Sequence, residues 1–352
     1  MDTILKEDIV YCDAMLPKVS RTFAPTIRML PAGLNTIVTV AYLLCRIADT
    51  VEDSAGLSID NKKDLLQDYI SIFKSKNNTK ALNHFMSGVK VLPTETDDDL
   101  LTHNLPRVIN VYNSFSPIFK KHIGLWVVEM SLGMRKYAQA AVRKKFSFLG
   151  TMKELDEYMY YVAGTVGYLL TELFSFYSKR ITPPIKNKLN LLAESFGKGL
   201  QMVNIIRDMT SDLHRGQSYI PEELLVKYNL DRKTIFEKQN ADRAQQLFSE
   251  LIQNALDHLD KAIDYIMLLP KEEKGIRMFC MLPVFWALRT LQKIQQNTLA
   301  LLDQEKIKVS KRMIKNEYYL ALINIYSNRL TRWHYQRIKS SFNIPVLEAV
   351  NY

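Results

Sequence analysis

YLLCRIADTVEDS (residues 42–54) and QMVNIIRDMTSDLHRG (residues 201–216) decide the reading of this chain. In the first, Tyr42, Arg46, Asp49 and Asp53 are spaced four, three and four apart, which is one stripe of an α-helix, and Glu52 lies beside it. The remaining positions of that helix, such as Val38, Leu44, Ile47, Ala48 and Val51, are apolar. In the second, Gln201, Asn204, Asp208 and Asp212 form the same kind of stripe, Arg207 flanks Asp208, and Leu200, Val203, Ile205 and Ile206 fill the opposite face. A surface helix would intersperse its acids with lysines at i,i+4, and either stripe alone reads equally as a solvated face. Two such stripes on helices otherwise suited to burial point instead to a shared, concentrated negative site. Such a site is costly without cations, and hard divalent ions with oxygen ligands are its natural partners. A Mg²⁺ cluster of this kind suggests a diphosphate substrate.

The rest of the composition fits a helical protein. The chain has 352 residues, 47% of them hydrophobic, with only 12 Gly and 12 Pro. Helices are expected over 34–54, 117–141, 152–178, 186–213, 243–268, 278–296 and 311–339, with 57–60 as a loop. Pro17, Pro25 and Pro31 mark an irregular N-terminal region, and Pro183-Pro184 separates two helices. Asp97-Asp98-Asp99 reads as a solvated linker, and Asp257, Asp260 and Asp264 read as ordinary surface charges beside His258 and Lys261. No internal repeat or change of composition divides the chain. The expectation is one all-α domain over 1–352, with a flap at about 1–33 and C-terminal helices at about 303–352.

Other chemistries lack their signatures. The formal charge of +10 suits anionic substrates or headgroups as well as a plain basic surface, but no zinc-finger spacing or RNP-type motif supports nucleic-acid binding. Cys12, Cys45 and Cys280 offer no metal knuckle and no redox pair, which fits a reducing compartment. The six histidines are scattered. Neither a dinucleotide-binding glycine motif nor a P-loop occurs. No uninterrupted apolar run reaches about 18 residues, so no transmembrane segment is expected, nor a signal or C-terminal anchor. The stretch YYVAGTVG (160–167) places small residues at three-residue spacing in a helix. Close helix packing and a helix break facing a pocket remain equal readings of it.

VSRTF (19–23), the two acidic helices and YYVAGTVG, in this order, resemble the squalene and phytoene synthases, head-to-head prenyl synthases of the all-α isoprenoid synthase fold. The likeness runs from about residue 19 to 302. LIQNALDHLDKAIDYI (251–266) and FCMLPVFWALRTL (279–291) look more like the squalene synthases, whereas DLHRGQSYIP (212–221) looks more like the phytoene synthases.

The resemblance implies a helical bundle around a central apolar cavity that condenses two farnesyl diphosphates. It implies Mg²⁺ held by Asp49, Glu52, Asp53, Asn204, Asp208 and Asp212, with Arg21, Arg46, Arg207 and Arg215 on phosphate oxygens. Ser20, Phe23, Tyr42 and Gln201 complete the substrate site, and Tyr161 or released diphosphate assists proton removal. Phe23, Met202, Phe279, Met281, Leu282 and Phe285 are tunnel candidates. Lys306 and Lys308 resemble a basic segment near NADPH, which would reduce presqualene diphosphate to squalene. A phytoene- or dehydrosqualene-type synthase lacks that step, and a non-catalytic lipid-binding relative should lack some of the acids. The chain is expected to be a cytoplasmic monomer with salt-sensitive peripheral association with the inner face of the membrane.

Overall fold

The computed structural model describes residues 3–54, 56–75, 78–143, 149–214, 216–297 and 307–342. Among these residues there are helices and turns and no strand. Seven helices come first: α1 (Thr3–Val19), α2 (Phe23–Ile27), α3 (Leu34–Asp53), α4 (Ile59–Lys74), α5 (Asn78–Val89), α6 (Asp97–His103) and α7 (Leu105–Asn113). Then follow α8 (Pro117–Arg143), α9 (Met152–Met159), a π-helical turn (Tyr160–Gly164), α10 (Thr165–Tyr177), α11 (Pro183–His214) and α12 (Glu222–Lys227). The chain continues through α13 (Ala241–Leu268), α14 (Lys274–Gln296), α15 (Lys311–Asn324) and α16 (Asn328–Lys339).

One apolar core runs through nearly all of these helices, from Cys12 in α1 to Ile338 in α16. All three cysteines are free and buried in it. Helix α3 is a large contributor to it, with Leu34, Leu43, Leu44, Ile47, Ala48 and Val51 fully enclosed. It is also long and apolar enough to cross a membrane by length and composition, but 67% of the qualifying window is buried inside the protein. Its apolarity is that of a core helix.

Several expected boundaries move for local physical reasons. The N-terminal region is helical rather than irregular: Asp8 accepts from Arg107 Nε (2.6 Å) and Asn110 Nδ2 (2.8 Å), which fastens α1 onto α7. Pro183-Pro184 opens α11 instead of preceding it, because the first turn of a helix needs no amide donor there. The acidic run at 97–99 is the first turn of α6, not a linker. Thr96 Oγ1 accepts from the Asp99 amide (3.1 Å) and Asp99 Oδ2 from the Thr96 amide (3.0 Å), a capping box at the end of the helix that favours negative charge. The expected last helix is two, α15 and α16. Ser327 caps the second (Leu330 N to Ser327 Oγ, 3.3 Å). Arg277, fully buried, donates to the carbonyls of Ile266 (3.0 Å), Leu269 (2.7 Å) and Ile325 (3.1 Å) and to Asn328 Oδ1 (2.9 Å), holding the α15–α16 corner against α13 and α14.

The small residues of 160–167 satisfy both open readings. A Cβ on Gly167 would lie 1.9 Å from the Ala193 carbonyl oxygen, and one on Gly197 would lie 2.0 Å from that of Ala163. The π turn and α10 therefore meet α11 backbone to backbone, and the same segment faces a cavity. Gly167→Val or Gly197→Ala must force these helices apart, with an expected loss of about 1–3 kcal/mol of stability. Thermal denaturation of each variant against the parent measures it; unchanged melting would show that the contact is not tight.

Candidate active site

Opposite the glycine contact the helices part around an apolar cavity of about 250 Å³. Helix α3 contributes Val38, Ala41, Tyr42, Cys45, Arg46 and Asp49; α11 contributes Phe196, Gly197, Leu200, Gln201 and Asn204. Tyr42, Arg46 and Asp49 of the first predicted stripe and Gln201 and Asn204 of the second thus line one space from two sides, whereas Glu52, Asp53, Asp208 and Asp212 are not in its lining. Val162, Ala163, Val166 and Gly167 form a third wall, and Phe23, Ile27, Phe279 and Pro283 close others. Of the tunnel candidates, Phe23 and Phe279 line the cavity, while Met202, Met281, Leu282 and Phe285 are buried among the core residues.

Both acidic segments occupy the C-terminal turns of their helices: α3 ends at Asp53 and α11 at His214. Unpaired carbonyls at such ends already carry partial negative charge, so carboxylates there add to an unfavourable potential. The structure offsets part of it with arginines. Arg46 donates to Asp49 Oδ2 (3.0 Å) and forms a two-point contact with Asp98, Nε to Oδ1 at 2.8 Å and Nη2 to Oδ2 at 2.9 Å. Arg207 makes a two-point contact with its neighbour Asp208, Nε to Oδ1 at 3.0 Å and Nη2 to Oδ2. Asp98 was not among the expected site residues; its signal was Thr96 placed three before Asp99, which marks a helix start.

The remaining charge is visible in the carboxylates. Asp49 is 34% exposed, toward the mouth of the cavity, yet surrounding protein still pushes its carboxyl up to about 6. Arg46 opposes that shift and Asp53 adds to it. Burial likewise raises Glu52 well above the usual carboxylate range, with Asp53 and Asp49 adding to it and Lys62 opposing. Lys62 Nζ donates to the Glu52 carbonyl (2.5 Å), capturing one of the unpaired oxygens at the end of α3. On the other side Asp212 is buried. Tyr219, stacked on Tyr158 with ring centres 4.9 Å apart, feels Glu52 and Asp53 from α3 and Asp212 from α11 together. The two helix ends therefore share one electrostatic environment.

That environment is not a closed metal cage. Among the described residues no three His, Cys, Asp or Glu are gathered closely enough to hold one ion. Arg46 and Arg207 engage Asp49 and Asp208. The donor set still fits magnesium in kind, being carboxylate and amide oxygens from two helices, with two carboxyls raised by burial and further by neighbouring carboxylates.

The other expected residues divide. Ser20 is buried and its Oγ accepts from the Phe23 amide (3.1 Å), positioning Phe23 at the cavity. Tyr42 donates to the Val19 carbonyl (3.4 Å). Asn204 Nδ2 donates to Gln201 Oε1 (3.4 Å), so these two amides orient each other. Arg21 is exposed, with no carboxylate partner among the described residues. Tyr161 lies elsewhere: its ring packs against Gly133 and it lines a separate groove with Lys153, Glu157 and Lys198. The π turn aims it away from the cavity that Val162 and Ala163 face. Lys308 is exposed, and its carbonyl accepts from Lys293 Nζ (2.5 Å). Arg215 and Lys306 lie outside the described residues.

This is an all-helical isoprenoid synthase fold with paired acidic helices over an apolar cavity. A ligand complex of TcSQS superposes with a TM-score of 0.77 over 95% of this chain and 91% of that one, at 22% identity. A dehydrosqualene synthase bound to a ligand gives 0.62 over 91% and 97%, at 21% identity. The squalene/phytoene synthase family profile matches residues 16–313. The squalene synthase of Schizosaccharomyces pombe is 32% identical over 84% of this chain, and that of Eremothecium gossypii is 30% identical over 94% of it. The matches span 62% and 72% of those two proteins. The chain belongs to the squalene/phytoene synthase family.

Asp49 sets a pH test. Its carboxyl titrates near 3.8 when unfolded and near 6 when folded. Above about pH 6 the native state carries a desolvated charge that the unfolded state hydrates, and that penalty fades as pH falls from about 6 to 4. Asp49→Asn should therefore raise the melting temperature at neutral pH in metal-free buffer, with the gain shrinking toward pH 4. Thermal melts across this range check it; a gain independent of pH would contradict it.

Proposed function

We propose that the chain is a squalene synthase, condensing two farnesyl diphosphates head to head to presqualene diphosphate and reducing it with NADPH to squalene. The observation that carries this reading is the cavity with Asp49 on one wall and Asn204 on the other, at the mouth of an apolar space. The squalene synthases among its relatives support the choice of product.

Mg²⁺ would be held by Asp49, Glu52, Asp53, Asn204, Asp208 and Asp212, and when bound it supplies charge neutralisation of the diphosphate leaving group. The protein's own residues do the rest. Arg46 presents its guanidinium beside Asp49, where a phosphate oxygen can compete for it, and Asp98 holds the plane of that guanidinium. Arg207 stands in the same relation to Asp208. Phe23, Leu170, Phe196 and Phe279 enclose the prenyl chain and keep water from the allylic cation left by ionisation. Attack by the second chain's double bond forms the new carbon–carbon bond, and loss of one proton closes the cyclopropane. Because Tyr161 faces the other groove, the departing diphosphate is the base for that proton. Loss of the second diphosphate with rearrangement and opening of the cyclopropane would leave an allylic cation, and NADPH, when bound, would supply the hydride that converts it to squalene. A dehydrosqualene-type outcome, without hydride, is the second reading, favoured by the structural neighbour of that name.

Incubation with farnesyl diphosphate and Mg²⁺, with and without NADPH, separates the two. Squalene formed only with NADPH supports the proposal; dehydrosqualene formed without it overturns the reductive step. Asp49→Ala and Asp212→Ala should each lower turnover by at least about a hundredfold. Retained turnover in both would remove the acidic helices from the mechanism.

Asp98→Asn tests the support of Arg46. Its KM for farnesyl diphosphate should rise about tenfold, with a smaller change in kcat, because one charge-assisted contact holding the guanidinium is weakened. Steady-state kinetics measures the split; an unchanged KM would place Asp98 outside substrate binding.

A further inference from the structure

Helices α15 and α16 turn an unusual surface outward. Each rests on the body of the protein by one buried stripe: Glu317, Ala321 and Asn324 in α15, and Thr331, His334, Tyr335 and Ile338 in α16. Besides Arg277, a polar knot secures both to α14, with Glu317 accepting from Arg289 Nε (2.7 Å) and lying 2.7 Å from His334 Nε2. The opposite stripes are apolar and aromatic. Tyr319 and Ile323 on α15 and Tyr326 just past its end follow one another at helical spacing, and Leu330 and Trp333 do so on α16. Ile323 is 63% and Trp333 57% exposed, and no part of the described protein covers them.

The same segment is strongly basic. Residues 311–339 hold seven Lys or Arg and one carboxylate, that of the internal Glu317, so they carry six of the chain's ten net positive charges. Arg332 and Lys339 are paired with Asp264 and Asp260 on α13. Lys311, Arg312, Lys315, Arg329 and Arg337 have no carboxylate partner among the described residues. Two of them flank the exposed rings: Lys315 Nζ lies 5.8 Å from the Tyr319 ring centre, and Arg337 lies 5.4 Å from that of Trp333.

We propose that the outer face of the α15–α16 hairpin docks on an anionic lipid bilayer. Aromatic and aliphatic side chains ringed by unpaired cations match the interface between headgroups and acyl chains, where apolar insertion and attraction to anionic lipid act together. A second copy of the same face is a poor occupant, because its cations would meet their own kind. The hairpin's support also carries the cavity wall. Helix α14 lines the cavity with Phe279 and Pro283, and a turn later it holds the hairpin through Trp286 and Arg289. Docking would thus set the cavity one helix away from lipid. The surface argument is independent of the proposed reaction.

Full-length protein should sediment with phosphatidylcholine vesicles containing phosphatidylglycerol, and bind vesicles of phosphatidylcholine alone at least about tenfold more weakly. High salt should release it, and Trp emission should shift to the blue on binding, a shift lost in Trp333→Phe. The triple variant Ile323→Ser, Tyr326→Ser, Trp333→Ser and the charge variant Arg312→Glu, Lys315→Glu, Arg329→Glu should each lose binding. Both should keep the parent's melting temperature and its turnover on detergent-dispersed substrate. Equal binding of the parent to neutral and anionic vesicles, or undiminished binding by both variants, would overturn the proposal. So would a parent dimer that the apolar substitutions dissociate without affecting vesicle binding.

Discussion

Two helices that end in carboxylates are held across a space that contains almost no compensating polarity. The arrangement is electrostatically uphill twice over, since the helix ends and the side chains contribute the same sign. Arg46, Arg207 and Lys62 return part of that energy, and the raised titration of Asp49 and Glu52 records what remains. A fold that retains such a site gives up stability for it. The arginines give Asp49 and Asp208 each a guanidinium partner.

The cavity depends on the opposite extreme of packing. Where Gly167 and Gly197 let backbones touch, the helices are as close as main chains allow, and the space opens beside that contact. The π turn adds a residue to the helical path just before it and redirects side chains between two faces. Val162 and Ala163 face the cavity as a result, while Tyr161 is carried to the outer groove.

Periodicity made the acidic helices legible because each has one polar stripe on an apolar cylinder, a pattern that only burial against a polar site explains. The bounds of α3 and α13 were legible for the same reason. What the sequence hid follows from properties that periodicity does not carry. The Asp97–Asp99 run resembled a linker by charge alone, yet one threonine turns it into a capped helix whose second acid reaches Arg46. The π turn breaks the 100° step on which the placement of Tyr161 rested. The corner between α15 and α16 is set by Arg277, about fifty residues earlier in the chain, so no local pattern announces it. The closeness of the acids was not legible at all, since it depends on which arginine each one finds first.

Helix α3 has a further consequence during synthesis. It is the one described helix whose apolarity would suit a lipid bilayer, and most of the elements that enclose it (α6, α7, α8 and α10) lie C-terminal to it. The nascent chain therefore exposes this long apolar segment well before its enclosure has been translated. Until α10 emerges, that segment is an aggregation hazard and a natural binding site for a chaperone, and its charged end is the feature that discourages mistaken insertion into a membrane.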